Sequence, residues 1–159
     1  MKTYYDVAVV GAGPGGASTA FSCSESGLST VLCDKAKFPR RKICGDAITR
    51  RAQHHLERMG VFQEILDAGE GRWSAVGGLV SSSGIRYIGD SKEHLGSSLV
   101  ISIKREILDA RLVRAAVGKG AELREEFRVT DAVFDSTADR WRIISDDGAE
   151  VSATVLVAA

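Results

Sequence analysis

Residues 4–21 read YYDVAVVGAGPGGASTAF, a short valine-rich run that opens into four glycines within six positions. The run YDVAVVG is continuously apolar rather than alternating, the pattern of a strand buried on both faces of a parallel sheet. A helix is predicted from about Pro14, because proline suits the first helical position, and Gly27 supplies its C-terminal stop. LSTVLCD, residues 28–34, then reads as a second buried strand. Together these segments make a βαβ unit of roughly 30 residues.

Within that unit Gly11, Gly13 and Gly16 fall as G-x-G-x-x-G between strand and helix. The first glycine permits the tight turn, the second lets a diphosphate approach the backbone, and the third lets helix and strand pack closely. The helix N-terminus offers unpaired N–H groups and a partial positive charge to phosphates. An acidic residue about 20 positions further on is needed for the ribose hydroxyls, and Asp34, closing the second strand, stands there. The alternative for Asp34 is a solvated residue at a strand end. The pattern implies a dinucleotide and leaves FAD and NAD both open.

Beyond Asp34 the chain alternates textures. AKFPRRKICGD (36–46) is a basic loop broken by proline and glycine. Asp46 is expected to cap a helix over AITRRAQHHLERMG, with Ile48, Ala52, Leu56 and Met59 as its apolar stripe and Gly60 as its stop. A shorter helix is expected over VFQEILDAG (61–69). From Trp73 to about Ile103, glycines, serines and short β-prone pieces predict small antiparallel strands. KREILDARLVRAAVGKG (104–120) returns to helix, with Leu108, Leu112 and Ala115 on one face and Gly118 as the stop. FRVTDAVFD and RWRIISDD read as hairpin strands, and a DDG turn leads into AEVSATVLVAA.

Composition narrows the class. At 159 residues, 44% hydrophobic and 26% charged, the chain has the make-up of an ordinary globular protein of about one domain's length. Its 21 basic and 21 acidic residues cancel, which implies no general attraction to nucleic acid or acidic membranes. No apolar stretch approaches the roughly 20 residues that span a bilayer, and MKTYYDV leads into the strand with no signal-peptide pattern. Cys23, Cys33 and Cys44 fit neither a disulfide framework nor a metal site. The expected location is the cytoplasm, free or peripheral at a membrane. His54 and His55 have no acid or cysteine at ligand spacing and are read as the polar side of their helix. Cys23 and Cys33 are read as packing residues, Trp73 and Trp141 as core or sheet-face aromatics, and ELREEF (122–127) as a solvated face.

The glycine loop, the PR-x-K-x-CG stretch at 39–45 and the KREILDARLVRAA helix resemble the geranylgeranyl reductase family. That family belongs to the flavoproteins built like para-hydroxybenzoate hydroxylase. The resemblance implies an α/β fold: a Rossmann-like FAD-binding domain with a parallel sheet and β-meander, plus the beginning of a mostly antiparallel substrate domain. It divides the chain into residues 1–72 and 101–159 for FAD and 73–100 for substrate. Members continue the strand ATVLVAA into an Asp-Gly motif, so the sequence is expected to be the N-terminal part of a longer protein, inactive by itself.

The same resemblance implies FAD held by Gly11, Gly13, Pro14, Gly15, Gly16, Asp34, Lys35, Arg40 and Arg105. For Arg105 the rival is a surface pair with Asp109; for Arg40, with Arg41 and Lys42, it is an exposed basic loop. Cys44 and Gly45 are placed beside the flavin ring and substrate tunnel. A cysteine there packs on the ring, tunes its potential or aids proton delivery, Lys42 favouring the thiolate; the rival is a small residue that lets the loop turn. The implied activity is hydride transfer from reduced flavin to a carbon–carbon double bond of an isoprenoid or similar lipid-like small molecule. The electron donor is NAD(P)H or a protein such as ferredoxin. Two rivals stand beside it: a monooxygenase or halogenase of the same fold, and a dinucleotide-binding module without catalysis.

Overall fold

The computed structural model describes residues 4–43, 47–92 and 100–159. The chain divides into two compact units, residues 1–42 with 106–159, and residues 43–105.

The first unit is built on β1 (Tyr4–Val10), α1 (Pro14–Glu25) and β2 (Thr30–Cys33), followed after the second unit by α4 (Arg105–Gly118), β8 (Glu122–Arg124), β9 (Val129–Asp135), β10 (Arg140–Ser145) and β11 (Glu150–Ala158). Its six-stranded sheet runs β8-β2-β1-β11-β10-β9. The four strands β8, β2, β1 and β11 are mutually parallel, with Val7 opposite both Thr30 and Val155. Strands β9, β10 and β11 form an antiparallel meander. The fold is therefore α/β, with the parallel sheet and meander that the resemblance implied. Val7, Ala8 and Val9 are all buried, which is why β1 shows no alternation. Tyr5, Ala8, Val31, Cys33, Phe127, Ile143, Val151 and Ala153 form the core cluster.

Helix ends follow glycine. Gly27 adopts φ +81° after α1, and the Leu28 N–H closes back onto the Cys23 carbonyl. Helix α4 ends at Gly118, as expected, and Gly120, φ +109°, turns the chain out of it with the Ala121 N–H on the Ala116 carbonyl. Its buried face comprises Leu108, Asp109, Leu112, Val113 and Ala116, while Ala115 is half-buried.

The second unit contains β3 (Ala47–Ile48), α2 (Arg50–Arg58), α3 (Val61–Asp67), β4 (Gly71–Ser74), β5 (Val76–Val80), β6 (Arg86–Asp90) and β7 (Val100–Ile103). Strands β3, β7 and β4 form one antiparallel sheet, and β5 with β6 a separate hairpin. Helix α2 starts at Arg50 with Thr49 in the cap position, because Ala47 and Ile48 pair with β7 instead of joining the helix. Ile48 therefore leaves the expected apolar stripe, and Asp46 lies outside the described residues. Trp73 is 48% exposed, its ring edge-on to Phe62 at 6.2 Å. It is a sheet-face aromatic, not a core one.

ELREEF is not a plain solvated face. The Tyr5 hydroxyl donates to Glu122 Oε2 at 2.6 Å, and Arg124 Nε donates to Glu122 Oε1 at 2.7 Å. The hydrogen bond from Tyr5, with Arg124 beside it, holds the Glu122 carboxyl below its ordinary value of 4.5 against the opposing effect of partial burial. Burial first, then the bond to Glu122, pushes the Tyr5 phenol up.

Two predictions follow from this packing. A Cβ on Gly16 would collide with the Gly11 backbone carbonyl, whereas one on Gly15 meets nothing within 4 Å. Gly16→Ala should cost about 1–3 kcal/mol in a urea-unfolding measurement, and Gly15→Ala should stay within about 0.5 kcal/mol. Because the Glu122 pKa is lowered on folding, its contribution is present above the unfolded value and lost as pH falls through the folded one. Glu122→Gln should therefore flatten the loss of stability below about pH 4.5, read from urea midpoints across the acid range.

Candidate functional site

The glycine turn joins the end of β1 to the start of α1. Gly11 takes φ +99°, donates its N–H to the Cys33 carbonyl at 2.8 Å, and lies so close to the Ala159 carbonyl that no side chain fits. Gly13 is the cap residue of α1 and carries no side chain to satisfy the first-turn amides. Pro14 has no N–H, and the Ala17 N–H is taken by the Gly13 carbonyl at 2.9 Å. Helix geometry therefore leaves the Gly15 and Gly16 N–H groups without intrahelical acceptors. The first turn holds no acidic residue to occupy that positive end. Open space at Gly15 with donors beside it suits an anion, and these residues fit the diphosphate of a dinucleotide.

Asp34 follows β2 directly and is 7% exposed. Its Oδ2 accepts the Ala12 N–H at 2.8 Å, and its Oδ1 accepts the Ala36 N–H at 2.9 Å. The carboxylate is thus bonded into the glycine turn rather than solvated at a strand end. A carboxylate has about four acceptor positions, so two backbone bonds leave it capacity for hydroxyl donors.

The loop after Asp34 is tied down at alternate residues. Ala36 is held by Asp34, the Phe38 N–H donates to Glu125 Oε1 at 2.7 Å, and Arg40 reaches two carboxylates. Arg40 Nη2 stands 3.3 Å from Asp109 Oδ2 and 3.7 Å from Asp34 Oδ2. Arg40 is therefore not part of an exposed basic loop, although Lys35, Arg41 and Lys42 are exposed.

Arg105 is half-buried at the first position of α4. Asp109 is fully buried rather than at the surface, and it faces Arg40. Cys44 and Gly45 lie outside the described residues. Burial pushes the Cys33 thiol up to about 12, which makes it a packing residue at neutral pH. His54 is exposed and pairs with Glu57 at 3.0 Å. Among the described residues, no group of three or more His, Cys, Asp or Glu converges on a metal position.

Asp109 and Glu125 escaped sequence reasoning. The signal for Asp109 was present: it lies in register with Leu108, Leu112 and Ala116 on a buried helix face, where an aspartate demands a partner. Nothing local in ELREEF distinguishes Glu125, whose bond to Phe38 spans 87 positions.

Residues 4–159 match the FAD binding domain family. The chain belongs to that family. As an FAD binding domain it is 38% identical over 148 residues to conditioned medium factor receptor 1 of Dictyostelium discoideum, covering 89% of this chain and 29% of that protein. It is 32% identical over 159 residues to menaquinone reductase of Mycolicibacterium smegmatis, covering 100% and 38%. Identity to digeranylgeranylglycerophospholipid reductase 2 of Methanococcoides burtonii is 32% over 140 residues, covering 86% and 32%. The chain thus spans about a third of the length of these relatives.

Among solved structures, the flavin-dependent brominase Bmp2 superposes with a TM-score of 0.80 at 26% identity, covering 99% of this chain and 38% of that one. A geranylgeranyl bacteriochlorophyll reductase-like protein of Thermoplasma acidophilum gives 0.79 at 21%, covering 98% and 39%, a likeness of fold. The resemblance carried by the glycine and PR-x-K-x-CG motifs agrees with these relatives, which include a digeranylgeranylglycerophospholipid reductase at 32% identity. No helix among the described residues is long and apolar enough to cross a membrane.

A carboxylate set at the positive end of α1 should compete with a diphosphate. Gly15→Asp, which meets no steric obstacle, should leave the melting temperature near that of the parent and weaken FAD binding more than about 100-fold in a fluorescence titration.

Proposed function

We propose that the protein containing this chain is an FAD-dependent reductase of carbon–carbon double bonds in an isoprenoid or isoprenoid-bearing lipid. The observation that carries the reading is the side-chain-free turn from Gly11 to Gly16 with the Asp34 carboxylate bonded into it through the Ala12 N–H. The names of two relatives at 32% identity, a menaquinone reductase and a digeranylgeranylglycerophospholipid reductase, support the substrate class.

In this reading the Gly15 and Gly16 amides and the α1 dipole hold the diphosphate, Asp34 accepts the ribose hydroxyls, and Arg105 and Lys35 add donors to the cofactor. Gly13 and Pro14 keep the turn free of competing side chains and donors. FAD, when bound and reduced, supplies a hydride for one alkene carbon, with a proton added at the other. Cys44 and Gly45 line the reacting end, with no chemical step assigned to the thiol. Residues 73–100 belong to the part that shapes the substrate site. Electrons come from NAD(P)H or from a ferredoxin-like donor. The protein works in the cytoplasm, free or peripheral at a membrane.

A second reading, an oxygen-using halogenase or monooxygenase, draws on the likeness to the brominase. The intact protein decides between them. It should be yellow as purified, bleach anaerobically with NADH, NADPH or reduced ferredoxin, and regain colour on adding menaquinone or a geranylgeranyl lipid whose mass rises by one H2 per double bond. Rapid oxygen uptake with hydroxylated or halogenated product would establish the second reading. A protein that takes up no flavin would leave a nucleotide-binding module without this catalysis.

A further inference from the structure

Arg40 has the setting of a residue that acts through another. Its guanidinium is drawn between two carboxylates on different elements, Asp109 of α4 and Asp34 at the end of β2. Asp109 is fully buried and Asp34 nearly so. Its planar group also lies 5.2 Å over the Phe38 ring, and Phe38 is itself held by Glu125 through its N–H. Arg40 Nε is buried and has no hydrogen-bond partner among the described residues. An arginine serving as a general counter-ion for phosphates would keep its donors toward solvent, where a fork of N–H groups can reach an anion. This one commits its Nη2 to buried carboxylates and leaves Nε enclosed.

The distances say what Arg40 does there. At 3.7 Å its contact with Asp34 is an ion pair rather than a hydrogen bond, while the stronger approach is to Asp109. Asp109 therefore anchors the guanidinium, and the guanidinium sets a positive charge beside Asp34 Oδ2. The same Oδ2 accepts the Ala12 N–H from the glycine turn. Oδ1 takes the Ala36 N–H, so each oxygen carries one backbone bond and keeps one acceptor position.

We propose that Arg40 is a positioning residue, anchored by Asp109, that holds the Asp34 carboxylate in the orientation in which it receives the cofactor's ribose, and that it makes no direct contact with the cofactor phosphates. This rests on the reading of Asp34 as the ribose acceptor.

A double-mutant cycle on FAD affinity tests it, using apoprotein prepared from the intact protein and flavin fluorescence as the readout, with Asp34→Ala, Arg40→Ala and the pair. Residues acting as one unit are non-additive. Arg40→Ala should weaken FAD binding about ten-fold in the parent and less than about two-fold in the Asp34→Ala background. The dependence of Kd on salt should keep its slope, because no phosphate contact is lost. Asp109→Asn, which loosens the anchor, should reproduce part of the loss, and Arg40→Lys should recover part of it.

These last two variants carry the test if Arg40→Ala does not fold. An equal loss in both backgrounds, or a flatter salt dependence, overturns the proposal in favour of direct phosphate contact. Full affinity in Asp109→Asn and Arg40→Lys overturns it as well. If Asp34→Ala alone binds FAD as tightly as the parent, the ribose reading of Asp34 itself falls, and this proposal with it.

Discussion

The first unit depends on one absence: Gly16 has no Cβ where its backbone rests on the carbonyl of Gly11. That contact sets how closely α1 lies over the end of β1, and with it the position of the helix N-terminus. Gly11 meets a similar limit against the carbonyl of Ala159, where β11 ends beside β1. Backbone against backbone at these two places leaves a turn whose outer surface is donors rather than side chains. An anion site arises there because the packing that closes the fold also strips the turn bare.

Charge at the site is arranged around that turn rather than in it. The N-terminus of α1 is left without an acidic residue, while the carboxylate of Asp34 is tied to the Ala12 amide one residue past Gly11. Behind it lie Arg40 and the buried Asp109. Buried ions of this kind contribute little net stability, since desolvation offsets much of the attraction. Their value lies in orientation, and a carboxylate that must meet two ribose hydroxyls at fixed geometry has use for it. The Tyr5–Glu122–Arg124 network runs along the sheet: Tyr5 lies near the start of β1, while Arg124 pairs with Cys33 and its carbonyl accepts the Asp34 N–H at 2.9 Å.

Kinship with both reductases and a brominase shows how far this part of the fold leaves the chemistry open. Such relatives share the cofactor cradle, and reactions diverge in the residues that face the ring and the substrate. The chain spans about a third of its relatives' lengths, so the substrate rests on proposal while the cradle rests on geometry.

Much of the cradle was legible in the sequence because its requirements are local. Backbone freedom at Gly11, the proline at the head of α1, the left-handed stop at Gly27 and the continuous burial of Val7, Ala8 and Val9 are set by neighbouring residues, and each took its expected place. Errors arose where a distant strand or helix competed. Ile48 was drawn from its helix by pairing with Ile101, and ELREEF became a bonded edge through Tyr5 and Phe38. Sequence alone determined that a bare turn and an acidic residue would stand at the ends of adjacent strands, since strand, turn and helix periods dictate it. Only the tertiary structure decided that Asp34 would be enclosed by Ala12, Ala36 and Arg40, with Asp109 behind. Those contacts link β2 to a helix some 70 positions away, and no local rule carries information over that distance.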